Sequence, residues 1–123
     1  MSEFRVIQVK SHRDVRGGLS VLDGTLPFDM KRVYWIYESD GQLRGGHRHR
    51  VTRQALVAVH GQVVVNLDDG RHQAQVTLAS PSQCLIVEPE DWHTMQFGPG
   101  AVLLVIASEP FDADDYIDEG YDR

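Results

Sequence analysis

Gln62-Val-Val-Val-Asn-Leu-Asp-Asp-Gly70-Arg-His-Gln-Ala-Gln-Val-Thr-Leu78 decides the fold class. Gln62 to Leu67 and Gln73 to Leu78 are short and carry β-branched residues, which suit a pleated, half-buried surface. Between them lies Asp68-Asp69-Gly70, residue types that tolerate the positive φ a tight reversal demands. The stretch reads as an antiparallel hairpin. Toward the C-terminus, Ser80-Pro81 marks a turn, Cys84–Val87 a short buried strand and Pro89–Asp91 another turn. His93–Phe97 follows, then the Gly98-Pro99-Gly100 turn, and Ala101–Ala107 is the most apolar strand of the chain.

Toward the N-terminus the same rhythm holds. Leu56–Val59 precedes a turn at His60-Gly61, and Lys31–Tyr37 is rich in aromatic and β-branched residues. Leu19–Leu22 and Phe4–Lys10 read as strands. Asp14–Gly18, Pro27 with Asp29, Asp40-Gly41 and Gly45-Gly46 read as turns or breaks. Only Ala113–Glu119 offers a helical turn. Short strands at regular spacing predict an all-β sandwich or barrel, and a small jelly-roll barrel is the expected architecture. One domain over residues 1–123 accommodates it, a length that buries a core without disulfides or a metal staple.

Composition excludes several function classes. No apolar run reaches membrane-spanning length, and Met-Ser-Glu-Phe-Arg-Val has no signal-peptide core. One cysteine, Cys84, rules out an intrachain disulfide and suits a reducing compartment, so a cytoplasmic location is expected. It reads as a small buried hydrophobe. A net charge of −6 gives no electrostatic footprint for nucleic acid. Acidic residues crowd Asp112 to Asp122, whereas Arg44, Arg48, Arg50 and Arg53 crowd the centre. Those arginines read either as a solvated strand face or as a local positive field for a phosphorylated small molecule.

The chemistry concentrates in Arg44-Gly-Gly-His47-Arg-His49-Arg50. On an extended strand, residues i and i+2 share a face, so His47 and His49 point one way and Arg48 and Arg50 the other. Two imidazoles side by side suit a metal site or an acid–base pair, because histidine titrates nearest neutral pH. Arg44, followed by two glycines, is placed to meet an anion. His12, His60 and His72 fall in loops or turns and carry no assigned role.

Gly41, His47, His49 and Gly61 together resemble the first motif of the cupin superfamily, small jelly-roll barrels that often hold a metal on two histidines, a glutamate and a third histidine. Here Gln54 stands at the glutamate position. The second cupin motif resembles Pro89-Glu-Asp-Trp92-His93, with its histidine one residue early, and in a strand such a shift reverses the face. Without a carboxylate the ligand set is poor for a transition metal, and the expectation is a metal-free site.

A narrower resemblance covers nearly the whole chain. Arg44-Gly-Gly-His-Arg-His49 is similar to the Arg-Gly-x-His-x-His signature of the dTDP-4-keto-6-deoxyglucose 3,4-ketoisomerases, WxcM-like cupins. Asp14-x-Arg16-Gly17-x-Leu19, Lys31-Arg-Val-Tyr34, Asp68-Asp-Gly70, Leu78-x-Ser-Pro81, Trp92-His-x-Met95, Ala107-Ser-Glu109 and Asp115-Tyr-Ile117 fall in that family's order. With the chain ending soon after Tyr121-Asp122, the isomerase domain alone is expected, without a fused acyltransferase.

The resemblance implies an isomerase of deoxysugar biosynthesis that moves a keto group from C4 to C3 through an enediol, with no cofactor. It implies a homodimer with exchanged N-terminal strands, and Phe4–Lys10 is a segment able to supply one. By position His47 matches the family's proton acceptor. His49 is the expected partner, relaying a proton or polarising a sugar oxygen. Tyr37 is a candidate hydroxyl shuttle, and Arg44 is placed to stabilise enolate charge or hold phosphate. Arg16 and Arg32 are candidate diphosphate ligands, since arginine's planar fork matches phosphate oxygens. Trp92 reads as a core or rim residue or a base-stacking plate, and His93 as a residue supporting the site. Gln54 is placed to bond a sugar hydroxyl or hold an imidazole. Two other readings stand beside this one: a cupin that binds a nucleotide sugar without turnover, and a metal-dependent cupin enzyme.

Overall fold

The computed structural model describes residues 3–122. Twelve strands follow in order: β1 (Val6–Gln8), β2 (Lys10–Asp14), β3 (Gly17–Val21), β4 (Arg32–Ile36), β5 (Leu43–His49), β6 (Gln54–His60), β7 (Val63–Asp68), β8 (Gln73–Leu78), β9 (Gln83–Val87), β10 (Trp92–Phe97), β11 (Val102–Ala107) and β12 (Tyr116–Ile117). They form two five-stranded antiparallel sheets, ordered β1-β9-β6-β11-β4 and β12-β5-β10-β7-β8, with β2 and β3 as a separate hairpin. The central core holds Leu56, Leu85 and Leu103 of the first sheet against Val65, Leu67 and Phe97 of the second, all buried. This is the expected all-β jelly roll.

The first sheet is covered on its other face as well. Val57, Cys84, Ile86 and Ile106 form a second buried cluster beneath Leu22, Leu26 and Phe28 of the segment before β4. Burial on both faces explains why β6 and β9 read as unbroken apolar runs rather than alternating ones. Cys84 is fully buried, as its apolar strand predicted, and burial pushes its thiol up to about 11.

The Asp68-Asp69-Gly70 hairpin stands, with Val63 opposite Leu78 and Asp68 opposite Gln73. Elsewhere the boundaries differ from expectation. Phe4–Lys10 is not one strand: Val9 is buried, its N–H donating to Ser82 O at 2.7 Å, and it separates β1 from β2. Asp14–Gly18 is a much tighter reversal, since β2 runs to Asp14 and β3 begins at Gly17. In the tail, the helical turn is a 3₁₀ turn at Ala113–Asp115, capped by the Asp112 carboxylate, which accepts from Asp114 N at 3.0 Å. It runs directly into β12 on the edge of β5.

Gly45-Gly46 is not a turn. Both residues lie inside β5, at φ +86° and +82°. The pairing of β5 with β10 shifts register here, with His93 opposite His47 but Thr94 opposite Gly45, so Gly46 is the extra residue of a bulge. A Cβ on Gly45 would stand 2.8 Å from His93 O, so the strands approach this closely only because no side chain is there.

Candidate active site

The inner faces of β4, β5, β6, β10 and β11 and the edge strand β12 enclose a cavity of about 380 Å³. Tyr34, Tyr37, Arg44, His47, Gln54, His93 and Tyr116 give its wall nearly all its polar chemistry. His47 and His49 share the inner face of β5, their ring centroids 5.2 Å apart, as the i, i+2 spacing predicted. His47 is half-buried on the cavity wall, and His49 is buried beside it. The intervening arginines turn outward. Arg48 lies over the Tyr121 ring and donates to Glu119 O at 3.1 Å, and Arg50 donates to Asp114 O at 3.0 Å. Arg53 pairs with Glu88 at 2.8 Å. For these three the solvated-face reading is the better one, and Arg44 alone of the central arginines reaches the cavity.

His93 departs from its expected orientation. The one-residue offset suggested an outward ring, yet His93 is buried and lines the cavity, 5.3 Å from His47 and 6.2 Å from His49. Its partner across β7 is Leu67, a core residue, and directly opposed residues share a face. His93 Nδ1 is 2.9 Å from Asp91 O. A carbonyl only accepts, so Nδ1 carries the proton of the neutral ring and Nε2 carries the lone pair.

Burial sets the electrostatics. It lowers the pKa of His47, against an opposing pull from Asp118. Burial, then the neighbouring His47, brings His49 from 6.5 to about 4 despite Asp115. His93 also falls to about 4, again chiefly by burial. At neutral pH all three rings are free bases. Tyr34 moves the other way: burial and the nearby Tyr116 phenol raise it, so it remains a protonated donor.

The remaining candidates divide. Gln54 is buried in the cavity wall with Nε2 3.2 Å from the Tyr34 hydroxyl, so its amide holds a phenol rather than an imidazole. Tyr37 stands just past β4 and is 57% exposed, at the cavity mouth. Arg32 lies outside the cavity, its guanidinium 4.4 Å from the centre of the Tyr34 ring. Arg16 is at the tip of the β2–β3 hairpin, paired with Asp14, and does not line this chain's cavity. Trp92 faces outward, as the neighbour of inward-facing His93 must. Its ring lies beside Gly120, and it borders a different cavity with Asn66, Asp68, Gln73 and Gln75.

Sequence reasoning assigned no role to Tyr34 or Tyr116, both of which line the cavity. Tyr116 lies edge-on to His47 at 4.8 Å and to His49 at 4.7 Å. The one local signal was an aromatic and β-branched pair, Tyr116-Ile117, inside an otherwise acidic tail.

The family description FdtA, WxcM-like C-terminal, matches residues 2–122. The chain belongs to this family. It is 40% identical over 119 residues to a TDP-4-oxo-6-deoxy-α-D-glucose-3,4-oxoisomerase of Aneurinibacillus thermoaerophilus, covering 94% of this chain and 86% of the relative. Among solved structures, a 3,4-ketoisomerase from Helicobacter canadensis superposes with TM-score 0.91 at 31% identity, covering 97% of this chain and 92% of the other. A mutant of the 3,4-ketoisomerase QdtA from Thermoanaerobacterium thermosaccharolyticum, in complex with TDP-4-keto-6-deoxyglucose, superposes with TM-score 0.90 at 35% identity, covering 97% and 90%.

The metal that many cupins carry does not fit the donor set of this WxcM-like chain. Gln54 replaces the carboxylate and is engaged with Tyr34, and among the described residues no group of three or more His, Cys, Asp or Glu is arranged to hold a metal ion.

Proposed function

We infer that this chain is a TDP-sugar 3,4-ketoisomerase of deoxysugar biosynthesis, acting on a dTDP-4-keto-6-deoxyhexose. The observation that carries the reading is 40% identity to a TDP-4-oxo-6-deoxyglucose 3,4-oxoisomerase over 94% of the chain. The cavity wall supplies the fitting chemistry: free-base imidazoles beside a protonated phenol.

In the proposed reaction His47 removes the proton from C3. The C3–H electron pair forms a C3–C4 double bond, and the C4 carbonyl oxygen takes a proton to give the enediol. The C3 hydroxyl then loses its proton and becomes the carbonyl, while the double-bond electrons capture a proton at C4. One carbon is oxidised as its neighbour is reduced, so the balance requires no external oxidant. His49, its ring beside that of His47, is the relay partner. Tyr37 shuttles a proton at the mouth, and Arg44 stabilises enolate charge or holds the diphosphate. Gln54 and His93 orient the sugar hydroxyls. Catalysis is metal-independent in this reading, which the Gln54–Tyr34 contact supports.

The enzyme works as a homodimer of single-domain cytoplasmic subunits with exchanged N-terminal strands. Exposed Val33, Trp35 and Val59 on the outer face of the β6-β11-β4 region, and Val15 and Leu19 on the β2–β3 hairpin, support a partner surface. Within such a dimer, Arg16 and Arg32 are candidate diphosphate ligands, and Trp92 would contact substrate only from its own, separate cavity. Sedimentation equilibrium of the purified protein checks the dimer, and a monomer at micromolar concentration would refute it.

The decisive experiment incubates metal-stripped protein with dTDP-4-keto-6-deoxyglucose in deuterated water and follows C3 and C4 by NMR. Deuterium entering the ring as a 3-keto sugar appears is the expected result. Binding without exchange would favour a non-catalytic nucleotide-sugar module, and exchange only after metal is restored would favour a metal-dependent cupin.

A further inference from the structure

His49 is 3% exposed, yet neither Nδ1 nor Nε2 has a hydrogen-bond partner. A buried histidine is ordinarily oriented through one ring nitrogen, which sets its tautomer and its plane. His93 is held that way, through Asp91 O. His49 is held instead by rings: Tyr116 at 4.7 Å, His47 at 5.2 Å and His93 at 6.2 Å. The Tyr116 contact is edge-on at 65°, and Tyr116 meets His47 in nearly the same way, at 4.8 Å and 66°. Such tilted pairs lie within the favoured range of aromatic geometry.

Tyr116 is itself firmly placed. Its backbone is in register with His49 on the edge of β5. One residue earlier, the Asp115 carboxylate accepts from Arg50 N at 3.1 Å, Val51 N at 2.8 Å and the Thr52 hydroxyl. These bonds tie the C-terminal segment to the turn that follows the two histidines. The Phe111 ring also contacts Tyr116, its centroid 5.7 Å away.

We propose that Tyr116 is a positioning residue for the histidine pair, its ring fixing the planes of His47 and His49 and keeping water from them. The role is exerted through ring contact, so the phenol hydroxyl is dispensable for it. Only the kinetic consequence rests on the isomerase reading above.

The charged and titratable groups facing the pair are His93 from β10, Arg32 from β4, Tyr116 itself, Asp115 before β12 and Asp118 after it. Burial is the largest influence on both rings and lowers both. Removing the Tyr116 ring admits water, so the two rings should titrate closer to 6.5.

The test compares Tyr116→Phe, Tyr116→Leu and Tyr116→Ala, each checked for wild-type circular dichroism. Imidazole titrations are followed by NMR without substrate, and kcat and KM with dTDP-4-keto-6-deoxyglucose. Tyr116→Phe should keep wild-type titration curves. Tyr116→Leu and Tyr116→Ala should raise both midpoints toward 6.5 and lower kcat by roughly 10–100-fold with little change in KM. Unmoved titration curves in Tyr116→Leu or Tyr116→Ala would overturn the proposal. So would titration curves of Tyr116→Phe that move as far as those of Tyr116→Ala, which would make the hydroxyl the active part. Should Tyr116→Ala fail to fold, Tyr116→Phe against Tyr116→Leu makes the same comparison. Wild-type protein inactive on this substrate would refute the isomerase reading, while the titrations would still judge the positioning role.

Discussion

His47 and His93 oppose each other directly across β5 and β10, with ring centroids 5.3 Å apart. The pairing exists because Gly46 bulges out of β5 and Gly45 lets the strands close on His93 O. A backbone irregularity thereby places two chemically active side chains on one wall of the cavity.

Gly45→Ala tests that dependence. The new Cβ would meet His93 O at 2.8 Å in a backbone at φ +86°, so both sterics and the left-handed conformation oppose it. The expected loss is roughly 2–3 kcal/mol in urea denaturation, with weaker turnover as His93 shifts. An unchanged midpoint would show that the strands can separate freely.

His47→Asn removes the proposed base while keeping a polar side chain of similar reach. Turnover should fall by at least about 10²–10⁴-fold, the range that acid–base catalysis commonly supplies, with nucleotide binding and thermal stability close to wild type. Calorimetric titration with TDP and the deuterium-exchange assay separate the two effects. Retained exchange would take His47 out of the mechanism.

Arg44→Ala removes the one central arginine that reaches the cavity. Loss of a charge-assisted contact to phosphate or enolate is worth about 1.5–3 kcal/mol, or roughly 10–100-fold in affinity or rate. If diphosphate is its partner, TDP alone will bind more weakly. A fall in kcat with TDP affinity intact would place its charge at the enolate.

Acid should destabilise the fold well above the carboxylate range. His49 and His93 are lowered from 6.5 to about 4, and His47 is lowered as well. Between those values the unfolded chain binds protons that the folded chain refuses, so unfolding free energy drops as pH falls. The contribution is complete above about pH 6.5 and gone below about pH 4, a loss of a few kcal/mol in total. Urea midpoints at pH 7, 5.5 and 4.5 measure it, and a flat profile across that window would contradict the buried free-base rings.

Asp115→Ala loosens the turn after β5, which keeps the bonds from Arg50 N–H to Asp115 O at 2.9 Å and from the Arg50 side chain to Asp114 O at 3.0 Å. Arg50 N, Val51 N and the Thr52 hydroxyl all lose an acceptor, so a cost of about 1–3 kcal/mol is expected. Hydrogen exchange at Arg50 and Val51 should speed up together with exchange in β12. Protection that stays at wild-type levels would mean another contact holds the segment.

Sequence by itself determined most of the strands and the shared face of His47 and His49. Val63–Leu78 announces its hairpin because turn chemistry and β-propensity reside in neighbouring residues. His47 and His49 share a face because alternation is a property of any single strand. Tertiary structure decided what depends on register between strands. Gly45-Gly46, a turn by local preference, became a bulge within β5 because β10 lies against it. His93 came inside and Trp92 went out because Leu67, paired with His93, belongs to the core. Tyr116 reached both imidazoles through a two-residue strand whose pairing with β5 no local pattern announces. Backbone preference is set by adjacent residues and is legible along the chain, whereas which residues meet across a sheet depends on the register that buries the whole core.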